Sequence, residues 1–475
     1  MSDCNLQFFV PIEEISNRRQ KVVDSMLDNS LLILTSSEIK KRNADVDFPF
    51  RQDSNFWYLT GLNQDTSILV IKKTEGKIQE FLFTPKKDKT SEIWTGIKLG
   101  PEEVSQKSGI TVENIFWFED FENRLPQFLQ TIENVYFDLV GDYQDLRQKI
   151  SSLITSQNRR NWDENILCVH KVRELIACLR IIKSNWEIEQ MEIASKINTK
   201  AHLFGYQNML KKHKIGQKYY EFEFEADLHY FYKKNGLNWS YPAIVAGGQN
   251  ACVLHYTEND KLVNSQDLVL VDAGCEVNYY ASDITRMYPI SGKFTEPQRE
   301  IYEIVLDANK QIIQFLANHK TNLGTDSEVN YASYHYKTVQ ILTSGLIKLG
   351  IIKNSLEIAI QNKEYFKYFM HGVGHWLGLD VHDLGYYLDK GGNRMSTKFT
   401  KGMCVTVEPG LYFDPSDETI PAKYRGIGVR IEDDIVITET GILNLTQNLP
   451  KEINEIEEIA LKIELQKPEV ENLEN

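Results

Sequence analysis

The chain is poor in cysteine. Its six (Cys4, Cys168, Cys178, Cys252, Cys275 and Cys404) are scattered over 475 residues with no CxxC pair. That spacing excludes a disulfide-framed small domain and a thiolate zinc site, and it suits reduced thiols in a cytoplasmic protein. No run approaches the roughly 18 apolar residues of a membrane-spanning helix. The N-terminus carries Asp3 and a short Phe8-Phe9-Val10 run ended by Pro11, not a basic start followed by an apolar core, so neither a secretory leader nor a membrane anchor is expected. Positive charge is in deficit, with 53 Lys and Arg against 67 Asp and Glu and a net charge of -14. This argues against duplex nucleic acid or an anionic membrane surface as partner. No internal repeat or low-complexity block is readable.

What is present is 42% hydrophobic and 25% charged residues, the balance of a globular protein long enough for two or three domains. Residues 1–175 alternate short apolar runs (Leu31 to Leu34, Ser67 to Ile71, Glu80 to Phe83) with polar segments, which predicts an α/β domain. Lys171 to Ile182 turns helical, and Ser184 followed three residues later by Glu187 reads as a capping box opening the next helix. Residues 176–450 then mix expected strands, Leu268 to Val271 and Met403 to Val407, with a helix begun at Thr295 and Pro297 whose Ile301, Ile304, Val305, Ala308 and Ile312 share a face. This half is α+β. Residues 451–475 are expected to form a short C-terminal helix, Ile453 to Ile463, and an acidic tail.

The chemistry-bearing residues cluster in this second half. Asp272 and Asp283 stand eleven apart in LVLVDAGCEVNYYASDITRMYPI, where Gly274 and Glu276 to Asn278 allow a turn. If the flanking strands pair, both carboxylates can face one cavity; the plainer alternative is a strand-ending and a turn-capping aspartate. His371, His375 and His382 crowd into FMHGVGHWLGLDVHD, whose glycines make it a poor helix and a good close-approach segment. Glu408 ends the apolar strand CVTV just before Pro409. Arg430 and Glu432, two apart, share one side of an extended chain, where Arg430 can orient neighbouring carboxylates. The alternative makes Glu432 a salt-bridged strand residue, with Asp433 and Asp434 toward solvent. Taken together, four carboxylates and one imidazole form a hard, oxygen-rich set suited to a pair of Mn²⁺, Co²⁺ or Zn²⁺ ions. Two ions that share a water and polarise a carbonyl imply peptide or ester hydrolysis, with phosphoester hydrolysis still open.

At these residues the chain resembles the pita-bread metallopeptidases, and within them the proline-specific aminopeptidase P family. The motifs HYTEN (255–259), DAGCE (272–276), SDITR (282–286), FMHGVGHWLGLDVHD (369–383), TVEPGLY (406–412) and RGIGVRIEDDIVIT (425–438) follow the family order. RQDSNFWYLTG (51–61) and EIWTGIKLG (92–100) resemble its N-terminal domain, so the likeness covers nearly the whole chain. It implies a curved, mainly antiparallel pita-bread sheet behind an N-terminal domain that closes the pocket and mediates oligomerisation. It implies Asp272, Asp283, His375, Glu408 and Glu432 as ligands of two metals, manganese by family expectation, with Asp283 and Glu432 bridging. It further implies a hydroxide nucleophile with Glu408 as proton shuttle, and His255 and His382 near the leaving nitrogen and the oxyanion. His371 would line the substrate wall, and Arg430 and Tyr241 would support the ligands.

The implied substrates are peptides with proline second. An X-Pro bond has no amide hydrogen, so the site must fit the ring instead of reading a donor. Trp94 stands where the family closes that pocket, often from a neighbouring subunit, which implies a homodimer or homotetramer. Three other readings stay open on the same fold: an X-Pro dipeptidase holding a free carboxylate through a group such as Arg394, a metal-free peptide-binding module, and a metal-free creatine-hydrolase-like enzyme, the last two having no use for a complete ligand set.

Overall fold

The apolar run Ser30–Thr35, buried throughout, lies inside a six-stranded mixed sheet. It runs antiparallel to Ile68–Thr74 and parallel to Asn134–Tyr136. The expected strands at 67–71 and 80–83 fall in Ile68–Thr74 and Lys77–Thr84, joined as a hairpin through Glu75 and Gly76, both at positive φ (51° and 72°). Two left-handed residues match the twist of the strands they connect, and glycine at the second removes the Cβ penalty. Helices Phe121–Phe128 and Gln144–Arg160 cover the sheet over a core containing Leu31, Val70, Phe83, Phe121 and Ile150. This computed structural model describes residues 9–160, 167–318, 330–387 and 397–463, and the chain divides into two compact units between Arg180 and Ile181.

The second unit opens with the helix Asn185–Lys214, and the capping box expected at Ser184 is formed. Ser184 N donates to Glu187 Oε2 at 2.7 Å, and Glu187 N donates to Ser184 Oγ at 3.2 Å. Every strand pairing in this unit is antiparallel. Ile244–Gly247, Leu268–Ala273 and Ile284–Pro289 make one sheet; Cys404–Val407, Asp433–Ile437 and Ile442–Asn444 make another; Gly410–Tyr412 pairs with Gly428–Arg430. The helix Glu296–Asn318 buries Ile301, Val305, Ala308 and Ile312, as its 3.6-residue period predicts, and Ile453–Lys462 supplies the C-terminal helix. The acidic tail beyond it lies outside the described residues. No helix among the described residues is long and apolar enough to cross a membrane.

Candidate metal centre

Asp272 stands near the end of the strand Leu268–Ala273, opposite Thr285, while Asp283 immediately precedes the neighbouring strand Ile284–Pro289. The two carboxylates are therefore diagonal neighbours across one pair, within reach of a common partner. Between them the chain makes a small hairpin of Cys275–Val277 with Tyr280–Ala281. A Cβ at Gly274 would lie 1.9 Å from the Ser282 carbonyl oxygen, so this crossing requires glycine. The Tyr241 hydroxyl sits 2.6 Å from Asp272 Oδ1 and 2.5 Å from Asp283 Oδ1.

The histidine segment is held against the strand Cys404–Val407. Leu377 N donates to Cys404 O at 3.2 Å, Thr406 N to His375 O at 3.0 Å and Glu408 N to Val373 O at 2.8 Å. This ladder brings His375 Nε2 to 3.4 Å from Asp283 Oδ2 and 3.7 Å from Glu408 Oε1. The His375 Nδ1 faces the Trp376 carbonyl at 3.0 Å. A carbonyl can only accept, so Nδ1 carries a proton and Nε2 points into the acid cluster, the orientation of a metal-ligating imidazole.

Arg430 and Glu432 join the cluster through Asp272 and Thr285. Arg430 donates through Nη2 to Asp272 Oδ2 at 2.6 Å, through Nε to Thr285 Oγ1 at 3.2 Å and through Nη1 to the Tyr412 hydroxyl at 3.0 Å. Thr285 Oγ1 donates to Glu432 Oε2 at 2.7 Å, and Glu432 N donates to Thr285 O at 3.1 Å. The next two acids do not face solvent: Asp433 and Asp434 are both fully buried. Asp433 pairs with Arg286 at 2.8 Å and Lys451 at 2.5 Å, which holds it well below the ordinary carboxylate range against its burial, and Arg286 Nη1 also caps the Glu432 carbonyl at 2.5 Å. Asp434 Oδ2 accepts the Asp283 amide at 3.0 Å. One acid thus anchors the chain beside Glu432, and the other anchors Asp283.

Asp283, His375 and Glu432 bring ligand atoms within 4.8 Å of one another. Burial and mutual repulsion drive Glu432 well above its ordinary value and Glu408 up to about 7, and burial raises Asp272 in spite of Arg430. Burial disfavours a charged His375, yet the hydrogen bond to Asp283 and the charge of Glu408 hold it up to about 9. Tyr241 has one hydroxyl proton for two carboxylate contacts, so one of the pair calls for a further proton or a cation. Each of these features marks a deficit of positive charge that divalent ions would fill, and the oxygen-rich donors with one imidazole fit such ions.

Of the other expected residues, His371 is half-buried and tied into the site. Its Nδ1 donates to Gly372 O at 2.6 Å, so its Nε2 accepts the Tyr412 hydroxyl at 2.9 Å. Burial and the nearby Arg430 depress it to about 3, so it is neutral. The exposed His382 lies over His375, ring centroids 4.2 Å apart. His255 is exposed in the turn after Gly248–Cys252. Trp94 belongs to the first unit, 84% exposed on the short helix Lys89–Thr95, none of whose residues is buried. Arg394 lies outside the described residues.

Sequence reasoning passed over Thr285, Tyr412 and His335. Thr285 and Tyr412 stand inside SDITR and TVEPGLY, and the two-residue spacing from Asp283 to Thr285 is a signal that was available. His335, which accepts the Val373 amide at 3.2 Å through Nδ1, sits on the helix Tyr331–Lys348 with no local pattern to mark it.

Residues 189–439 match the family model of metallopeptidase family M24, and residues 15–136 match that of the aminopeptidase P N-terminal domain. The chain is 40% identical over 455 residues to the Xaa-Pro aminopeptidase of Haemophilus influenzae, covering 95% of this chain and 97% of that protein. It is 38% identical over 454 residues to the Xaa-Pro aminopeptidase of Escherichia coli, covering 94% and 98%. A structure of zinc-substituted E. coli aminopeptidase P in complex with product superposes with a TM-score of 0.87 at 35% identity, covering 96% of this chain and all of that one. With both units matched in order, the pita-bread architecture formed and the M24 model spanning the acid cluster, the chain belongs to metallopeptidase family M24 and, within it, to the aminopeptidase P family.

Proposed function

We propose that this protein is an Xaa-Pro aminopeptidase that releases the first residue of peptides with proline second. The observation that carries the reading is the close approach of Asp283, Glu408 and Glu432 to His375, with Asp272 joined to Asp283 through the Tyr241 hydroxyl, in a cluster short of positive charge. Asp272 and Asp283 would hold one divalent ion and His375 and Glu408 a second, with Asp283 and Glu432 shared between them. Manganese is the family's expectation, and cobalt or zinc would also suit these donors. Bound ions would supply an activated water and polarise the scissile carbonyl.

The protein's own groups do the rest. Glu408, 3.7 Å from His375 Nε2, would take a proton and return it to the leaving nitrogen. Arg430 and Tyr241 keep Asp272 and Asp283 oriented through hydrogen bonds of 2.5–2.6 Å. The neutral His371 offers an uncharged wall to the substrate, and His382 and His255 stand as donors for the developing oxyanion and the leaving group. Trp94, exposed on a helix with no buried face, supports an assembly of two or four copies in which the residue 1–175 domain of one copy closes the proline pocket of another. Five free cysteines among the described residues support a cytoplasmic location.

The test is cleavage of a short Xaa-Pro-Yaa peptide by chelator-stripped protein, with and without Mn²⁺. Metal-dependent release of the free first residue is expected. Cleavage confined to Xaa-Pro dipeptides would instead establish the dipeptidase, and no cleavage under any divalent ion would establish a binding module.

A further inference from the structure

One buried ion pair serves none of the ligands directly. Lys183 Nζ lies 3.0 Å from Asp383 Oδ2, and each side chain is only 1% exposed. Both partners are fixed at the backbone as well. Lys183 N donates to Gly402 O at 2.8 Å, one residue before the Ser184 cap of the long helix. Asp383 N donates to Trp376 O at 2.8 Å and closes the segment 376–383 on itself. Within that segment Gly378 N donates to Asp380 O at 3.1 Å, and Ala281 N donates to Gly378 O at 2.8 Å. A Cβ on Gly378 would lie 2.1 Å from Asp383 Oδ2 and 2.9 Å from Lys183 Cε. The loop is therefore moulded around the ion pair.

The residue before Asp383 is His382, exposed and in an irregular loop, with its ring over His375. An exposed ring on such a loop takes its place from whatever anchors its neighbours. A buried ion pair is a weak source of net stability, because desolvation of both charges offsets their attraction. Its value is geometric, since only one loop register brings the carboxylate to the ammonium. We infer that Lys183 and Asp383 are positioning residues: their buried ion pair locks the loop from Trp376 to Asp383 so that His382 is held at the mouth of the metal centre before substrate arrives. This rests on the reading that His382 acts on the reacting carbonyl or leaving group.

Removing one charge alone would leave the other buried and unpaired and could unfold the loop, so the test uses Lys183→Met together with Asp383→Leu, in the wild-type and the His382→Ala backgrounds. The assay is kcat and KM on an Xaa-Pro-Yaa peptide with metal content measured on each protein. The double replacement is expected to keep wild-type circular dichroism and metal content and to lower kcat by roughly 10- to 100-fold. In the His382→Ala background it is expected to cost almost nothing further, because the group it positions is already gone. An equal loss in both backgrounds, a loss of metal, or unchanged kcat would overturn the proposal. Wild-type turnover in His382→Ala alone would refute the role of His382 itself, and the proposal with it.

Discussion

Gly374→Ala tests how the metal centre is assembled. Gly374 does not lie in the left-handed region, so space and not backbone freedom is what it supplies. An added Cβ would sit 2.0 Å from the Thr406 carbonyl oxygen and 2.7 Å from the Tyr334 hydroxyl. Ordinary contact needs about 3.5 Å, so the histidine segment must move by about 1.5 Å. Thr406 cannot yield easily, because its strand is paired with Asp434, two residues from Glu432. The displacement falls on the Thr406–His375 and Glu408–Val373 hydrogen bonds of 3.0 and 2.8 Å. Losing both costs about 1 kcal/mol each, and the overpacking adds about 1–3 kcal/mol, so the variant is expected to be about 3–5 kcal/mol less stable. A shift above 1 Å at His375 is expected to lower kcat by about 100-fold or more. Urea unfolding of chelated protein and peptide turnover with saturating Mn²⁺ measure the two effects separately. An unfolding midpoint and a kcat equal to wild type would refute the argument that close approach of these two segments builds the site.

Asp283→Ala removes the carboxylate that faces both Tyr241 and His375, and is expected to abolish turnover and reduce bound metal while circular dichroism stays near wild type; full activity would refute the assignment. Trp94→Ala is expected to leave metal content unchanged and, by removing about 1.5–3 kcal/mol of apolar contact, to lower kcat/KM on proline peptides roughly 10- to 100-fold. Loss of metal would show that Trp94 acts elsewhere. His202, fully buried on the long helix, is depressed by burial and by Arg286 from 6.5 to about 3. The unfolded chain takes up the extra proton between those values, so this contribution is complete above about pH 6.5 and is lost as pH falls, by up to about 1.4 kcal/mol per unit. His202→Gln is expected to flatten the wild-type loss of stability between about pH 6 and 4 in urea titrations; parallel slopes would refute it.

The candidate ligands were readable because each sits on a local pattern that chemistry restricts: a strand-ending acid at Asp272 and at Glu408, a glycine-spaced imidazole at His375, a two-residue alternation at Arg430 and Glu432. Main-chain elements followed from periodicity and capping in the same way, as at Ser184 and along Ile301 to Ile312. Burial was less readable. EDD at 432–434 looks like a solvated acidic run, yet Asp433 is neutralised by Arg286 and Lys451, distant in sequence, and Asp434 is buried where it accepts the Asp283 amide.

What the sequence by itself determined is therefore which residues are candidate donors and which elements carry them, since alternation, capping and ligand chemistry are local properties. Only the tertiary structure decided which groups share a proton, a charge or a wall: Thr285 between Arg430 and Glu432, His335 behind Val373, Lys183 on Asp383. Those contacts join residues up to 200 positions apart. Local pattern carries no information about them, because hydrogen bonds and buried charges are settled by what packing brings within about 3 Å.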